Sequence, residues 1–161
     1  MNWKAMMTSF HKLLRVMMIM LGLFEFWSAS QWYLYPKTEQ SNTHILPPDI
    51  VDPKAHFVTP WIMFLVALGC VRIMYGASPE SLVTWLMTLL THIFEELFWL
   101  IYAKQSSTDP NATYFSLIMD AAIFKDQIFH NTLVLVGPLL LILFLIFDLP
   151  QVMGQPKLKT N

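Results

Sequence analysis

Four stretches of about 20 mostly apolar residues decide most of what this sequence can fold into, because a helix of that length crosses the hydrocarbon of a bilayer. The chain has 161 residues, of which 55% are apolar and 13% charged. A soluble domain carries about 25% charge, so a water-facing surface cannot be coated here. That excludes a soluble enzyme, a disordered tail and a nucleic-acid binder, and leaves a membrane enzyme open. Binding to DNA or RNA needs a field of phosphate-neutralising cations, whereas the net charge is −1. The length suits a single membrane domain over 1–161. Cys70 is the only cysteine, so an internal disulfide is impossible.

The composition and pattern predict an all-α integral membrane bundle of four transmembrane helices. The spans run over about 13–35, 59–77, 82–102 and 128–147. Trp27, Trp32, Tyr33 and Tyr35 crowd the far end of the first, as aromatic residues do at a membrane–water interface. Pro60 suits the first turn of the second. Gly76-Ala77-Ser78-Pro79-Glu80 reads as a tight turn, with Ser78 capping the third helix and Pro79 at its first position. Gly137-Pro138 predicts a kink in the fourth. The proline-rich stretch from Pro36 to Val58 reads as an extended loop. Before the last span, Phe115, Ile118 and Met119 recur at helical spacing, which predicts a short helix lying at the interface.

Four spans put both termini on one side, with Lys4, Lys12, Arg15, Arg72, Lys157 and Lys159. The other side holds Lys37, Lys54, Lys104 and Lys125. The positive-inside rule then places the termini in the cytosol or in a mitochondrial matrix. The segment MNWKAMMTSFHKLLR has basic and hydroxyl residues and no acid, which suits either a mitochondrial targeting helix or a basic membrane-entry segment.

Ionisable residues inside a span cost about 2.5–3.5 kcal/mol each on insertion scales, so Glu25, His92, Glu95 and Glu96 must face protein, water or one another. His92 and Glu96 share a helix face four residues apart, and Glu95 borders it. The patch suits helix–helix contact with Arg72, with Trp or Tyr donors or with a partner subunit. It also suits an acid/base pair or a proton relay. No metal site is expected, because a carboxylate di-metal bundle needs paired Glu-x-x-His motifs. Asn111-Ala112-Thr113 is a glycosylation triplet in a loop placed away from the cytosol.

The third span, His92-Ile93-Phe94-Glu95-Glu96-Leu97-Phe98, resembles the His-x-x-x-Glu-Leu-Phe stretch of the ergosterol biosynthetic protein 28 family. Val71-Arg72-Ile73-Met74-Tyr75-Gly76-Ala77 is similar to the segment that ends that family's second span, and Gly137-Pro138-Leu139 to the opening of its last helix. Ser28-Ala29-Ser30-Gln31 loosely resembles its polar Asn-x-x-Gln. The order of these motifs along four helices agrees as well. The chain departs from the family at Val58-Thr59-Pro60-Trp61 and at Glu95. The resemblance implies a non-catalytic scaffold of the endoplasmic reticulum that tethers sterol-demethylating enzymes.

These features lead to a scaffold or accessory subunit of a multi-subunit membrane complex, with other membrane proteins and lipids as partners and no nucleic acid. No catalytic residue, metal or cofactor is expected, apart from bound lipid. A supernumerary subunit of a mitochondrial respiratory or ATP-synthase complex fits the N-terminal composition. A small isomerase using His92 and Glu96, or a small transporter using Glu25 and Glu96, are the competing classes.

Overall fold

The structure, a computed structural model, describes residues 3–35, 58–78, 81–106, 109–119 and 128–154. All described elements are α-helices: α1 (Trp3–Leu34), α2 (Val58–Ala77), α3 (Leu82–Ser106), α4 (Tyr114–Met119) and α5 (Ile128–Gly154). Three of them contain stretches long and apolar enough to cross a membrane: Ala5–Leu34, Thr59–Ala77 and Leu135–Gly154. Helix α3 matches them in length, but His92, Glu95 and Glu96 keep it outside that group by composition.

The long helices run up and down. Helices α1 and α2 pack closely as one antiparallel pair and α3 and α5 as another, and the two pairs meet through α2–α3 and α1–α5. Two apolar clusters fill the bundle. One joins Ala29, Trp32, Trp61, Leu65, Trp99, Leu117 and Leu135. The other, towards the start of α1 and the end of α5, joins Leu14, Met18, Tyr75, Trp85, Leu141, Leu145 and Val152. The chain therefore enters α1 and leaves α5 at the same end, and α4 closes the opposite end by inserting Leu117.

Helix α1 starts ten residues before the expected boundary at Leu13 and spans 32 residues. At 1.5 Å per residue that is about 48 Å, longer than the hydrocarbon of about 30 Å. Its first turns extend the bundle because His11 and Leu14 are buried against other helices. Helix α5 likewise runs past Phe147 to Gly154, through Pro138 and Pro150. Each proline removes one intrahelical bond. Next to the carbonyls so released, Tyr114 Oη donates to Leu135 O, and Trp85 Nε1 donates to Leu145 O over 2.9 Å.

The cap of α3 is Ser81 rather than Ser78. Ser81 Oγ accepts from the Thr84 amide at 3.2 Å, while the Ser78 amide still bonds to Met74 O and so belongs to the end of α2. Pro79 and Glu80 lie outside the described residues, as do the loop expected over 36–57 and the continuation of the interfacial helix over 120–127.

The α1–α2 contact depends on glycine. A Cβ on Gly69 would sit 2.9 Å from Gly22 O, and one on Gly22 would sit 2.7 Å from Gly69 O. Small residues let membrane helices approach at backbone distance, where dispersion and weak polar contacts replace the missing hydrophobic drive. Gly69→Leu should therefore separate the pair and cost about 1–3 kcal/mol, read as a lower midpoint of thermal unfolding in detergent micelles. Cys70→Leu, one residue on and facing outward, should leave the midpoint unchanged. Equal effects of the two would contradict the close contact.

Candidate functional site

Buried polar side chains gather at three levels of the bundle, each joining different helices. At the centre, Arg72 from α2 donates to Glu25 Oε1 of α1. Its other terminal nitrogen donates to both oxygens of Glu95 on α3, at 3.3 and 2.9 Å. His92, fully buried, places Nδ1 2.9 Å from Glu95 Oε2. The Nδ1–H tautomer donates there. Nε2 of His92 and Nε of Arg72 are buried with no hydrogen-bond partner among the described residues.

Glu96 points elsewhere. Tyr114 Oη lies 2.5 Å from its Oε1 and also contacts Leu135 O, so one phenolic proton faces two acceptors on α3 and α5. Burial, followed by the neighbouring Glu96 carboxylate, pushes the Tyr114 phenol above its usual value, which keeps it a donor. Glu96 Oε2 has no partner among the described residues.

The third level lies at the terminal end of the bundle. Asp148 on α5 is fully buried. His11 Nδ1 of α1 is 2.7 Å from its Oδ1, and Tyr75 Oη of α2 donates to its Oδ2. Close by, Arg15 Nε donates to Gly76 O over 3.0 Å, a cation on the last carbonyls of α2 where the helix dipole is negative.

All five residues that the sequence reading placed within spans, Glu25, Arg72, His92, Glu95 and Glu96, are thus buried in the bundle. Their grouping differs from the sequence reading. His92 pairs with Glu95, three residues on, and Glu96 meets Tyr114, a tyrosine donor of the kind the sequence reading allowed. Arg72 meets Glu95 rather than Glu96. Asn111 is exposed in the turn before α4, at the end of the bundle opposite the chain's entry and exit. Its amide bonds to Asp109 Oδ1 at 2.8 Å, and Lys104 Nζ holds the turn through Pro110 O at 2.5 Å. The triplet's Thr113 exchanges bonds with Ser116 as the cap of α4.

The sequence reading missed His11, Tyr75, Asp148 and Tyr114. Asp148 gave a readable signal, an isolated acid between Phe147 and Leu149 in an apolar run, but the expected spans ended just short of it and began just after His11. An apolar groove of about 200 Å³ opens between Pro60, Trp61, Phe64 and Phe98, with no ionisable side chain in its wall. Among the described residues, no three His, Cys, Asp or Glu side chains converge to hold a metal ion. Comparison with protein-family profiles, with curated proteins and with solved structures finds no match.

The Asp148 cluster makes a specific stability prediction. Tyr75→Phe keeps the ring and removes the donor to a fully buried carboxylate oxygen. Leaving such a group unsatisfied costs about 1–3 kcal/mol, so the unfolding midpoint in micelles should fall. An unchanged midpoint would mean that Asp148 draws its second bond from elsewhere.

Proposed function

We propose that this chain is a non-catalytic scaffold or accessory subunit of a multi-subunit membrane assembly, and that α3 is a fourth membrane span. The observation that carries the scaffold reading is that its buried ionisable side chains answer one another from helix to helix. Acid/base work on a substrate needs an imidazole or carboxyl group in reach of the reacting atoms. Here His92 is committed to Glu95 and Glu96 to Tyr114, and the groove between α2 and α3 has apolar walls.

Two features of α3 support its reading as a span. Its ionisable residues from His92 to Glu96 all turn inward, while Leu86, Leu90, Phe94, Leu97 and Ile101 form an exposed apolar face. Exposed large apolar residues also cover α1, α2 and α5, which suits a surface facing lipid and other membrane proteins. Lys12 and Arg15 at the end shared by both termini favour orientation towards the cytosol or matrix.

The resemblance to the ergosterol biosynthetic protein 28 family supports one version of this reading, a scaffold for sterol-modifying enzymes in the endoplasmic reticulum. The basic N-terminal segment supports the alternative, a subunit of a respiratory or ATP-synthase complex of the mitochondrial inner membrane.

The test is migration of the tagged, full-length chain after extraction in mild detergent. It should run with a fixed set of membrane proteins at a mass several times its own. Migration as a monomer, or turnover by the isolated chain that disappears in His92→Ala, would remove the scaffold reading.

Location is tested separately. In the endoplasmic reticulum the Asn111 turn would face the lumen. A glycosidase-sensitive shift present in wild type and absent in Asn111→Gln would fix that placement and exclude the mitochondrial alternative.

A further inference from the structure

The central cluster does not balance as four ordinary ionised groups. Glu25 and Glu95 would bring two negative charges to the one positive charge of Arg72. Helix α5 adds no charge there among its described residues, since Asp148 is occupied with His11 and Tyr75 at the terminal level, and Glu96 of α3 turns to Tyr114. A net charge left uncompensated in an apolar interior is strongly unfavourable. One proton therefore has to reside in the cluster.

Its position follows from the hydrogen bonds. His92 cannot hold it well. As an imidazolium it would bury a second N–H, on Nε2, with no acceptor among the described residues. Glu95 is equally unsuited. Its two oxygens take bonds from Arg72 and from His92, and a carboxylate that accepts several bonds favours its charged form. Glu25 accepts from Arg72 through Oε1, and its Oε2, unlike Nε2 of His92, is not a fully buried atom without a partner: the side chain is 11% exposed, so a hydroxyl there reaches the surface of the bundle.

We propose that Glu25 is a proton-binding site in the middle of the bundle, occupied at neutral pH, whose proton makes the Glu25–Arg72–Glu95–His92 cluster electrically neutral. Arg72 and Glu95 then form the ion pair, neutral His92 donates to Glu95, and Glu25 joins α1 to the pair as a neutral acceptor. Loss of the proton leaves one uncompensated negative charge on the cluster that joins α1 and α3 through Arg72 of α2, and loosens that junction. The site is thus a coupling point between proton binding and helix packing.

The experiment is an infrared difference spectrum at pH 7 between wild type and Glu25→Gln, both full-length in lipid nanodiscs. The wild type should show the C=O stretch of a protonated carboxyl group that the variant lacks. Carboxylate bands in its place overturn the proposal. The variant should also fold, because a glutamine amide supplies the same neutral acceptor. If Glu25→Gln fails to fold, a neutral acceptor does not suffice at this position and the proposal is again overturned.

Discussion

Arg72 carries a positive charge into the apolar middle of the bundle, and a charge in that position has to be answered by a partner with good geometry. The partners come from two other helices, Glu25 on α1 and Glu95 on α3. A shift of any of the three by one turn would move a side chain by about 5.4 Å along the axis, beyond hydrogen-bond reach. The guanidinium therefore fixes the register of three helices at once. An arginine suits this better than a lysine, because its planar fork presents several donors in fixed directions. Here its two terminal nitrogens serve two different helices.

Apolar and polar contacts divide the work of holding the bundle. Within each antiparallel pair the helices meet broadly, through the facing Gly22 and Gly69 in one and through Trp85 against the Leu145 carbonyl in the other. Between the pairs the contact is narrower, and there buried charged and polar side chains bond directly across it: Arg72–Glu95, His11–Asp148 and Tyr75–Asp148. The stacked and edge-on rings of Trp61, Phe98 and Trp99 add shape at one end. Lipid tails are as apolar as leucine, so apolar surface alone does not select one helix arrangement over another. Hydrogen-bonded polar groups between the pairs supply that selection.

The helices were legible in the sequence because apolar runs of about 20 residues have few other fates. The costly residues Glu25, His92, Glu95 and Glu96 were legible as well, since an ionisable group in an apolar run stands out singly. Their partners were not. Adjacent carboxyl groups at Glu95 and Glu96 point to different neighbours, and a period of 3.6 residues does not say which helix lies on which side. The terminal cluster escaped for a different reason. Hydropathy marks where a helix is apolar, not where it ends, and both His11 and Asp148 sit in helical turns beyond those marks. Tyr114 was hidden because its role depends on a short helix folding back over the bundle end. Ser78 reads as the cap of α3 from the sequence, and only the backbone, in which the Ser78 amide still belongs to α2, shows that Ser81 takes that role.

The same interactions explain why α3 reads ambiguously on its own. Taken alone, three ionisable residues near its middle would cost several kcal/mol on insertion. In the bundle, Arg72 and His92 surround Glu95, and Tyr114 meets Glu96. On the four-span reading, α3 becomes favourable in the membrane only when α2 is already beside it to present Arg72. Arg72 in turn needs Glu25 from α1. The α1–α2 pair, closed by the Gly22–Gly69 contact, is then the platform that receives α3, and α5 completes the bundle by covering the Tyr114 and Trp85 donors with its own carbonyls. On that reading, membrane residence of α3 is a property of the assembled bundle, which the hydropathy of that helix alone does not express.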